Sequence, residues 1–546
     1  MPAATKNDDE YHGEVFTRRW VVEFMLDQAR YTVDRDLSVV RLVEPAAGSG
    51  AFVLPALERL SNSLKGYGKT LADVGDCFRA FELQEKNTKA LRLEMTGLLK
   101  AHGWRAKDVR RFVQDSVTTA DYLLTGHFPN SVDVLIGNPP YIRHDDLDPM
   151  KLTAYRKASP AMVGRSDVYI AFFDIGLDTL DDEGVCVFIC ADRWMRNDYG
   201  KGLRAKTHTG YAFDLVLTMH EADAFEEEVS AYPAITVIRR GRQGPAVVAD
   251  GDADFHEAQA ARLSKWMKNP HKRLNATGIT ADTVEAWFKT DQSWPVGSPA
   301  FLAWLEQIEE SLCLVEQTGI KFGIGVATGA DEVYVVKGDR IPEIEPERLL
   351  PLIVADDIRQ GGLFRPTGTM LVNPWDEDGL VNLADWPKFA AYLGKHPGLK
   401  SRHTAKANPT KWHKTIDRVN FDLIDRPKLL FQDMKAETTP VLHAGGMYPH
   451  HNLYYAVATE NRWDLEVLGG LMLSKAFEAQ VAAYCVKMRG GTLRFQTQYL
   501  RRVRVPRPED ISASVQEALR VAFIKRDRDA ASRAALDAYG LNEIPR

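Results

Sequence analysis

The sequence predicts an α/β chain: a mostly parallel sheet with helices on both faces, followed by a carboxyl half of mixed α+β character. Three observations predict it. Apolar runs such as Val39-Val-Arg-Leu-Val43 and Val185-Cys-Val-Phe-Ile-Cys190 alternate with helical stretches, the pattern of successive β/α units. A strand, a glycine turn and a helix follow one another between Val39 and Leu60, as in the first unit of a nucleotide-binding sheet. An apolar strand from Val132 then runs into Gly137-Asn138-Pro139-Pro140-Tyr141, and open α/β sheets bind ligands outside the carboxyl ends of their strands.

Near the amino terminus, Tyr11-His-Gly-Glu-Val-Phe-Thr17 leads into an apolar helical face of Val21, Val22, Phe24, Met25 and Leu26. Thr17 stands where either a helix cap or a ligand contact would. After the Val39–Val43 strand comes Glu44-Pro45-Ala46-Ala47-Gly48-Ser49-Gly50, whose glycines let a ligand approach the backbone. This is neither Gly-x-Gly-x-x-Gly nor a Walker loop with its lysine. An acid followed by small residues suits a cationic, non-phosphorylated cofactor.

Cys77–Leu83 reads as the second strand, ending in Glu82, where such folds hold ribose hydroxyls. Phe112-Val-Gln-Asp-Ser reads as the third, leading to Ala120-Asp121-Tyr122. Asp121 there could accept from an adenine amino group while Tyr122 packs on the ring. After the strand at Val132, each proline fixes φ and lacks an N–H, so the turn's carbonyls are held rigidly. The Asn138 side-chain oxygen and the Pro139 carbonyl can together accept both hydrogens of a planar amino group. That pulls its nitrogen lone pair out of conjugation and toward an electrophile, while Tyr141 offers a face for stacking. The arrangement suits methylation of an exocyclic amino group or of a side-chain amide. A helix from Ser166 and strands at Val185–Cys190, Phe213–Leu217 and Tyr232–Ile238 complete the alternation.

At 546 residues the chain is expected to form two to four domains. No apolar run is long enough to span a membrane, the polar amino terminus is not a secretory signal, and five scattered cysteines form no Cys-x-x-Cys pair. A cytoplasmic protein without a metal site is the expectation. The net charge of −6 does not announce a nucleic-acid binder, so local charge must carry that argument.

Taken in order, Glu44-Pro-Ala-Ala-Gly-Ser-Gly50, Glu82, Asp121-Tyr122 and Asn138-Pro-Pro-Tyr141 resemble a γ-class DNA N6-adenine methyltransferase of the TaqI-like and Eco57I-like modification type. Gly13-Glu-Val-Phe-Thr17, Ser166-Asp-Val-Tyr169 and Gly184–Trp194 are similar to further motifs of that family. The resemblance implies a Rossmann-like class I methyltransferase domain using S-adenosylmethionine. It implies that Thr17, Glu44, Pro45, Ala46, Gly48, Gly50, Glu82, Leu83, Asp121 and Tyr122 line the cofactor site. Asn138, Pro139 and Tyr141 would hold an adenine flipped out of double-stranded DNA, with Pro140 shaping the turn. Phe225 would stack on the opposite face of the base, although Glu226-Glu-Glu228 follows it, an unfavourable charge beside DNA. RNA and protein-glutamine N-methyltransferases share the Asn-Pro-Pro-Tyr chemistry, and a DNA-binding specificity protein with a relic fold is the non-enzymatic alternative.

The resemblance continues into the carboxyl half at Gly323–Gly329, Leu349–Ile358 and Arg426–Phe431. Basic clusters at Lys400–Lys406, Lys411–Lys414, Lys487–Arg494 and Arg501–Arg504 lie there too and can follow phosphates. The expected organisation is a methyltransferase domain over 1–245, a linker and helical connection over 246–318, and a DNA target-recognition domain over 319–546. Restriction or defence-system proteins are expected partners.

Overall fold

In the computed structural model, the described residues are 15–125, 131–227, 232–285, 287–288, 290–358, 363–460, 462–485 and 492–545. Tyr11–Glu14, Glu228 and 487–491 therefore lie outside the described residues. The chain divides into two units, one ending at Leu302 and the other beginning at Ala303.

The first unit is built on one sheet. Its strands are β1 (Leu42–Glu44), β2 (Phe78–Glu82), β3 (Val117–Thr119), β4 (Val132–Gly137), β5 (Leu180–Ala191), β6 (Tyr211–Thr218), β7 (Pro233–Arg240), β8 (Ala246–Gly251), β9 (Leu274–Ala276) and β10 (Ile279–Val284). Their spatial order is β3-β2-β1-β4-β5-β7-β6-β8-β10-β9. Every pair from β3 through β5 is parallel, as is β6 with β8. β7 is antiparallel to both of its neighbours. The order reverses at β1, which has β2 on one side and β4 on the other. Such a switch point opens a crevice at the strand carboxyl ends.

Helices α1 (Arg19–Gln28), α2 (Val53–Gly66), α3 (Glu85–Ala101) and α4 (Ala106–Ser116) contribute to one apolar core, and α6 (Pro149–Ala158) and α7 (Tyr169–Thr179) to a second; the short α5 is Tyr122–Thr125. β4 feeds both: Val134 and Ile136 enter the first core and Leu135 the second. A strand buried on both faces is apolar along most of its length, and apart from the half-buried Asp133 this run is, which is why it was legible.

The structure corrects three expectations. Phe112–Ser116 is the end of α4, not the third strand; Val109, Phe112, Val113 and Ser116 are its buried face, a helical spacing. The strand itself is the short β3 that follows. Thr17 does not cap α1; the cap position is Arg18, which makes no side-chain cap bond. The sheet does not stop at residue 245. Ala246-Val-Val-Ala249 pairs with β6 and β10, because an apolar run placed directly after the turn at Gly241–Pro245 has an open strand edge to join.

The second unit is mixed α+β. One sheet orders Ile320–Ile324, Leu453–Ala458, Lys428–Gln432 and Val441–His443; another orders Val335–Lys337, Thr369–Val372, Leu349–Ile353 and Tyr448–Pro449. Cys313–Leu314 pairs with Arg504–Val505, so residues 303–318 belong to this unit and are not a linker. No helix among the described residues is long and apolar enough to cross a membrane.

Candidate active site

The carboxyl ends of β1, β2 and β4 open onto one cleft. Its lining includes Thr17, Pro45, Ala46, Gly48, Glu82, Leu83, Asp121, Tyr122, Asn138 and Pro140. Its empty space, open mouth included, is about 950 Å³. Glu44, Gly50, Pro139, Tyr141 and Phe225 are not among the lining side chains.

Two carboxylates shape the glycine turn. Glu82, at the end of β2, accepts from the Gly48 N–H and from the Gln84 N–H, each at 2.8 Å. Gly48 has φ +50°, a conformation glycine adopts without a Cβ penalty. Glu82 thus fastens the turn after β1 to the end of β2; Oε1 also accepts from Asn87 Nδ2 at 3.4 Å, and Oε2 keeps a lone pair for a ligand hydroxyl. Glu44 lies beneath the turn, almost fully buried. Its Oε1 accepts from the Ala46 N–H at 3.1 Å, and its Oε2 has no hydrogen-bond partner. Burial pushes its carboxyl up to about 8, with Glu82 nearby adding to the rise. Gly137 makes room for it, since a Cβ there would meet Glu44 Oε1 at 2.5 Å.

At the third corner, Asp121 Oδ1 accepts from the Leu123 N–H at 3.1 Å, and Oδ2 accepts from the Tyr155 hydroxyl at 2.7 Å. Tyr122 is buried, stacked at 5.9 Å on Phe172 and edge-on at 5.3 Å to Phe81. It forms wall, not an exposed face. Leu83 is 43% exposed at the lip.

Asn138 follows β4. Its Nδ2 donates to the Val15 carbonyl at 3.1 Å and to Thr17 Oγ1 at 3.2 Å. A carbonyl can only accept, so the Val15 contact decides which end of the amide faces it. Oδ1 is left buried with no hydrogen-bond partner. Thr17, 4% exposed, sits on a short extended segment that pairs with the loop after β6: Thr17 bridges Phe225, the Arg18 N–H donates to Ala224 O at 3.0 Å, and the Glu226 N–H donates to Phe16 O at 2.9 Å. The Phe225 side chain is buried in the core, so its ring presents no face to the cleft in this conformation. Tyr141 is half-buried, edge-on to Tyr169 at 6.3 Å, with its hydroxyl lacking a hydrogen-bond partner.

Sequence reasoning missed Lys151 and Tyr155 of α6, together with Phe16, Ile142, Val168 and Phe172, all of which line the cleft. The available signal was the i, i+4 spacing of Lys151 and Tyr155, which puts both on one helix face. In the second unit, the expected Arg501–Arg504 cluster is largely engaged: Arg501 pairs with Glu316 at 3.2 Å, Arg502 lies 4.7 Å over the Tyr484 ring, and Arg504 donates to Leu312 O at 2.7 Å.

The family model of the Eco57I restriction-modification methylase matches residues 67–225, a span that contains Glu82, Asp121 and Asn138–Tyr141. The chain is 39% identical over 545 residues to the Type II methyltransferase M.XhoI of Xanthomonas vasicola, covering 98% of each. It is 36% identical over 548 residues to the Type II methyltransferase M.PaeR7I of Pseudomonas aeruginosa, covering all of this chain and 94% of that one. Among solved structures, the Type IIL restriction-modification enzyme MmeI in complex with DNA matches with a TM-score of 0.58 at 11% identity, over 96% of this chain and 74% of that one, which shows a shared fold. Identity of this extent along the whole length settles the family: the chain belongs to the Type II DNA methyltransferases of restriction-modification systems.

Proposed function

We propose that the chain methylates the N6 amino group of adenine in double-stranded DNA, using S-adenosylmethionine and drawing the target base out of the duplex into the cleft. The observation that carries this reading is the buried, unpartnered Oδ1 of Asn138, beside a rigid Pro-Pro turn. A buried acceptor left unpaired costs roughly 1–3 kcal/mol, a cost recovered when an amino group arrives to donate. Asn138 Oδ1 and the Pro139 carbonyl accept the two amino hydrogens, and the adenine face lies against Tyr141. Phe225 reaches the other face only after the loop after β6 shifts.

The residues around the glycine turn fit the cofactor. Glu82, tied to the turn through Gly48, is placed for ribose hydroxyls, and Asp121 with Tyr155 for the purine edge. Thr17 and Glu44 lie at the end nearer Asn138. When bound, the cofactor supplies a methyl group on an electrophilic sulfonium. The chain's part is to position and polarise the amino nitrogen, which needs neither a covalent nucleophile nor a metal. The proposed partners are the DNA duplex and the restriction endonuclease whose sites the methylation protects. Incubating the chain with labelled S-adenosylmethionine and, in parallel, duplex DNA, RNA and protein tests the reading; label in RNA or protein alone would overturn it.

A further inference from the structure

The 31 residues from Trp386 to Ile416 contain seven lysines and arginines and no aspartate or glutamate, in a chain whose net charge is −6. Most of these cations are Lys388, Lys395, Lys400, Lys406 and Lys411, all exposed. Among the described residues, the ion pairs of this unit lie elsewhere, for example Arg494 with Asp433, Arg520 with Asp464 and Arg528 with Glu437. The segment is held in shape. Leu399, Ala405, His413 and Thr415 are buried beneath it.

Arg402 is the fastening. Its guanidinium donates to four carbonyls: Leu399 at 3.2 Å, Thr328 at 3.1 Å, and Trp412 and Lys414 at 2.9 Å each. Carbonyls satisfy its N–H groups without cancelling its charge, so Arg402 adds to the positive field. The Tyr334 hydroxyl donates to His413 O at 2.7 Å, and the Trp375 indole N–H to Thr415 Oγ1 at 2.6 Å. Lys400 Nζ stands 5.0 Å over the Trp412 ring. The segment also packs on the Gly325–Ala330 loop, where the Ile416 N–H donates to Thr328 O at 3.3 Å and the Asp417 N–H to Ala327 O at 3.0 Å.

We infer that this segment is the phosphate-tracking surface of the carboxyl-terminal unit, with Lys400, Lys406 and Lys411 touching the backbone of a nucleic-acid duplex. It rests on the DNA substrate proposed above. The contrast with Arg501–Arg504 decides between the two basic regions. There, Arg501 is paired with Glu316, Arg504 is spent on Leu312 O, and Arg502 and Arg504 are half-buried; here, Lys400, Lys406 and Lys411 are exposed, Lys400 leaning over Trp412, without carboxylate partners among the described residues, on a scaffold that is already ordered. A pre-ordered cationic surface binds phosphate without the cost of ordering its backbone, and each neutralised phosphate releases condensed counterions.

The test is a salt titration of duplex binding by the full chain, comparing wild type with the triple variant Lys400→Gln, Lys406→Gln, Lys411→Gln. A control triple, Lys321→Gln, Lys337→Gln, Lys525→Gln, removes the same charge from exposed positions elsewhere. Thermal melting and cofactor binding check that each variant folds. Loss of three phosphate contacts should flatten the plot of log affinity against log salt by about 2–3 and weaken binding on the order of a hundredfold at physiological salt. The weakening should be equal for cognate and non-cognate duplexes, as backbone contacts carry no sequence information, and the control should behave as wild type. Wild-type slope and affinity in the Lys400/Lys406/Lys411 variant, or equal losses in the control, would overturn the inference. A wild-type chain that binds no duplex would overturn the proposed function first.

Discussion

Asn138 and Thr17 are 121 residues apart in sequence, yet the Asn138 amide donates to the Thr17 hydroxyl at 3.2 Å. With the parallel contact to Val15 O, this fixes the amide so that only its oxygen is free. The donor side of Asn138 is therefore structural, and the acceptor side is left for substrate.

Asn138→Ala should slow turnover steeply while leaving cofactor binding near wild type. Removing one preorganised group that acts on the reacting centre costs roughly 10²–10³ in rate. Thr17→Val should give a smaller loss, because Val15 O still orients the amide. Single-turnover methylation and calorimetric cofactor binding check both; full activity in Asn138→Ala would refute its assignment.

Glu82→Ala should weaken S-adenosylmethionine binding by roughly ten- to hundredfold, taking about 1.5–3 kcal/mol for a hydrogen bond to a charged group. Glu82 also holds the Gly48 N–H, so the loss should include slower closing of the turn. Unchanged affinity by calorimetry would mean that the carboxylate serves only the turn.

Much of this site was legible in the sequence because strands buried on both faces are continuously apolar and their carboxyl ends are marked by Glu44, Glu82 and Asn138. What was illegible is tertiary. No local pattern says that Thr17 faces Asn138, that Tyr155 takes one oxygen of Asp121, or that Tyr122 and Phe225 turn into the core. The misread third strand is different: Val109, Phe112, Val113 and Ser116 carry a helical period that a five-residue window cut short. The extension of the sheet past residue 245 was hidden by acids, since Ala249-Asp-Gly-Asp looks like a surface turn although Val247 and Val248 just before it are buried.

Glu44 should make stability depend on pH. Its carboxyl ordinarily ionises near 4.5 and is held up to about 8 by burial. Below about pH 4.5 both folded and unfolded chains carry the proton, and this group costs nothing. Between there and about pH 8 the unfolded chain releases the proton first, so its contribution to stability falls as pH rises. Glu44→Gln removes this dependence. Urea midpoints from pH 5 to 8 should show the variant gaining on wild type as pH rises; parallel profiles would exclude the effect.

Asp192, fully buried at the end of β5, accepts from Arg196 at 2.6 Å and pairs with His220 Nε2 at 2.6 Å. Burial pushes its carboxyl up, but Arg196 and His220 outweigh that and hold it down to about 2. Asp192→Ala should destabilise the first unit by roughly 3–5 kcal/mol, since it removes one partner of a buried ion pair. Chemical denaturation checks this, and a change under about 1 kcal/mol would show that water replaces the carboxylate.

The most direct test of the central claim is a nucleoside analysis of duplex DNA after incubation with purified chain and S-adenosylmethionine. Wild type should yield N6-methyladenine, and Asn138→Ala on the order of a hundredth of it or less over the same time. Methylation at the cytosine amino group, or N6-methyladenine formed by Asn138→Ala at close to the wild-type rate, would contradict the adenine assignment.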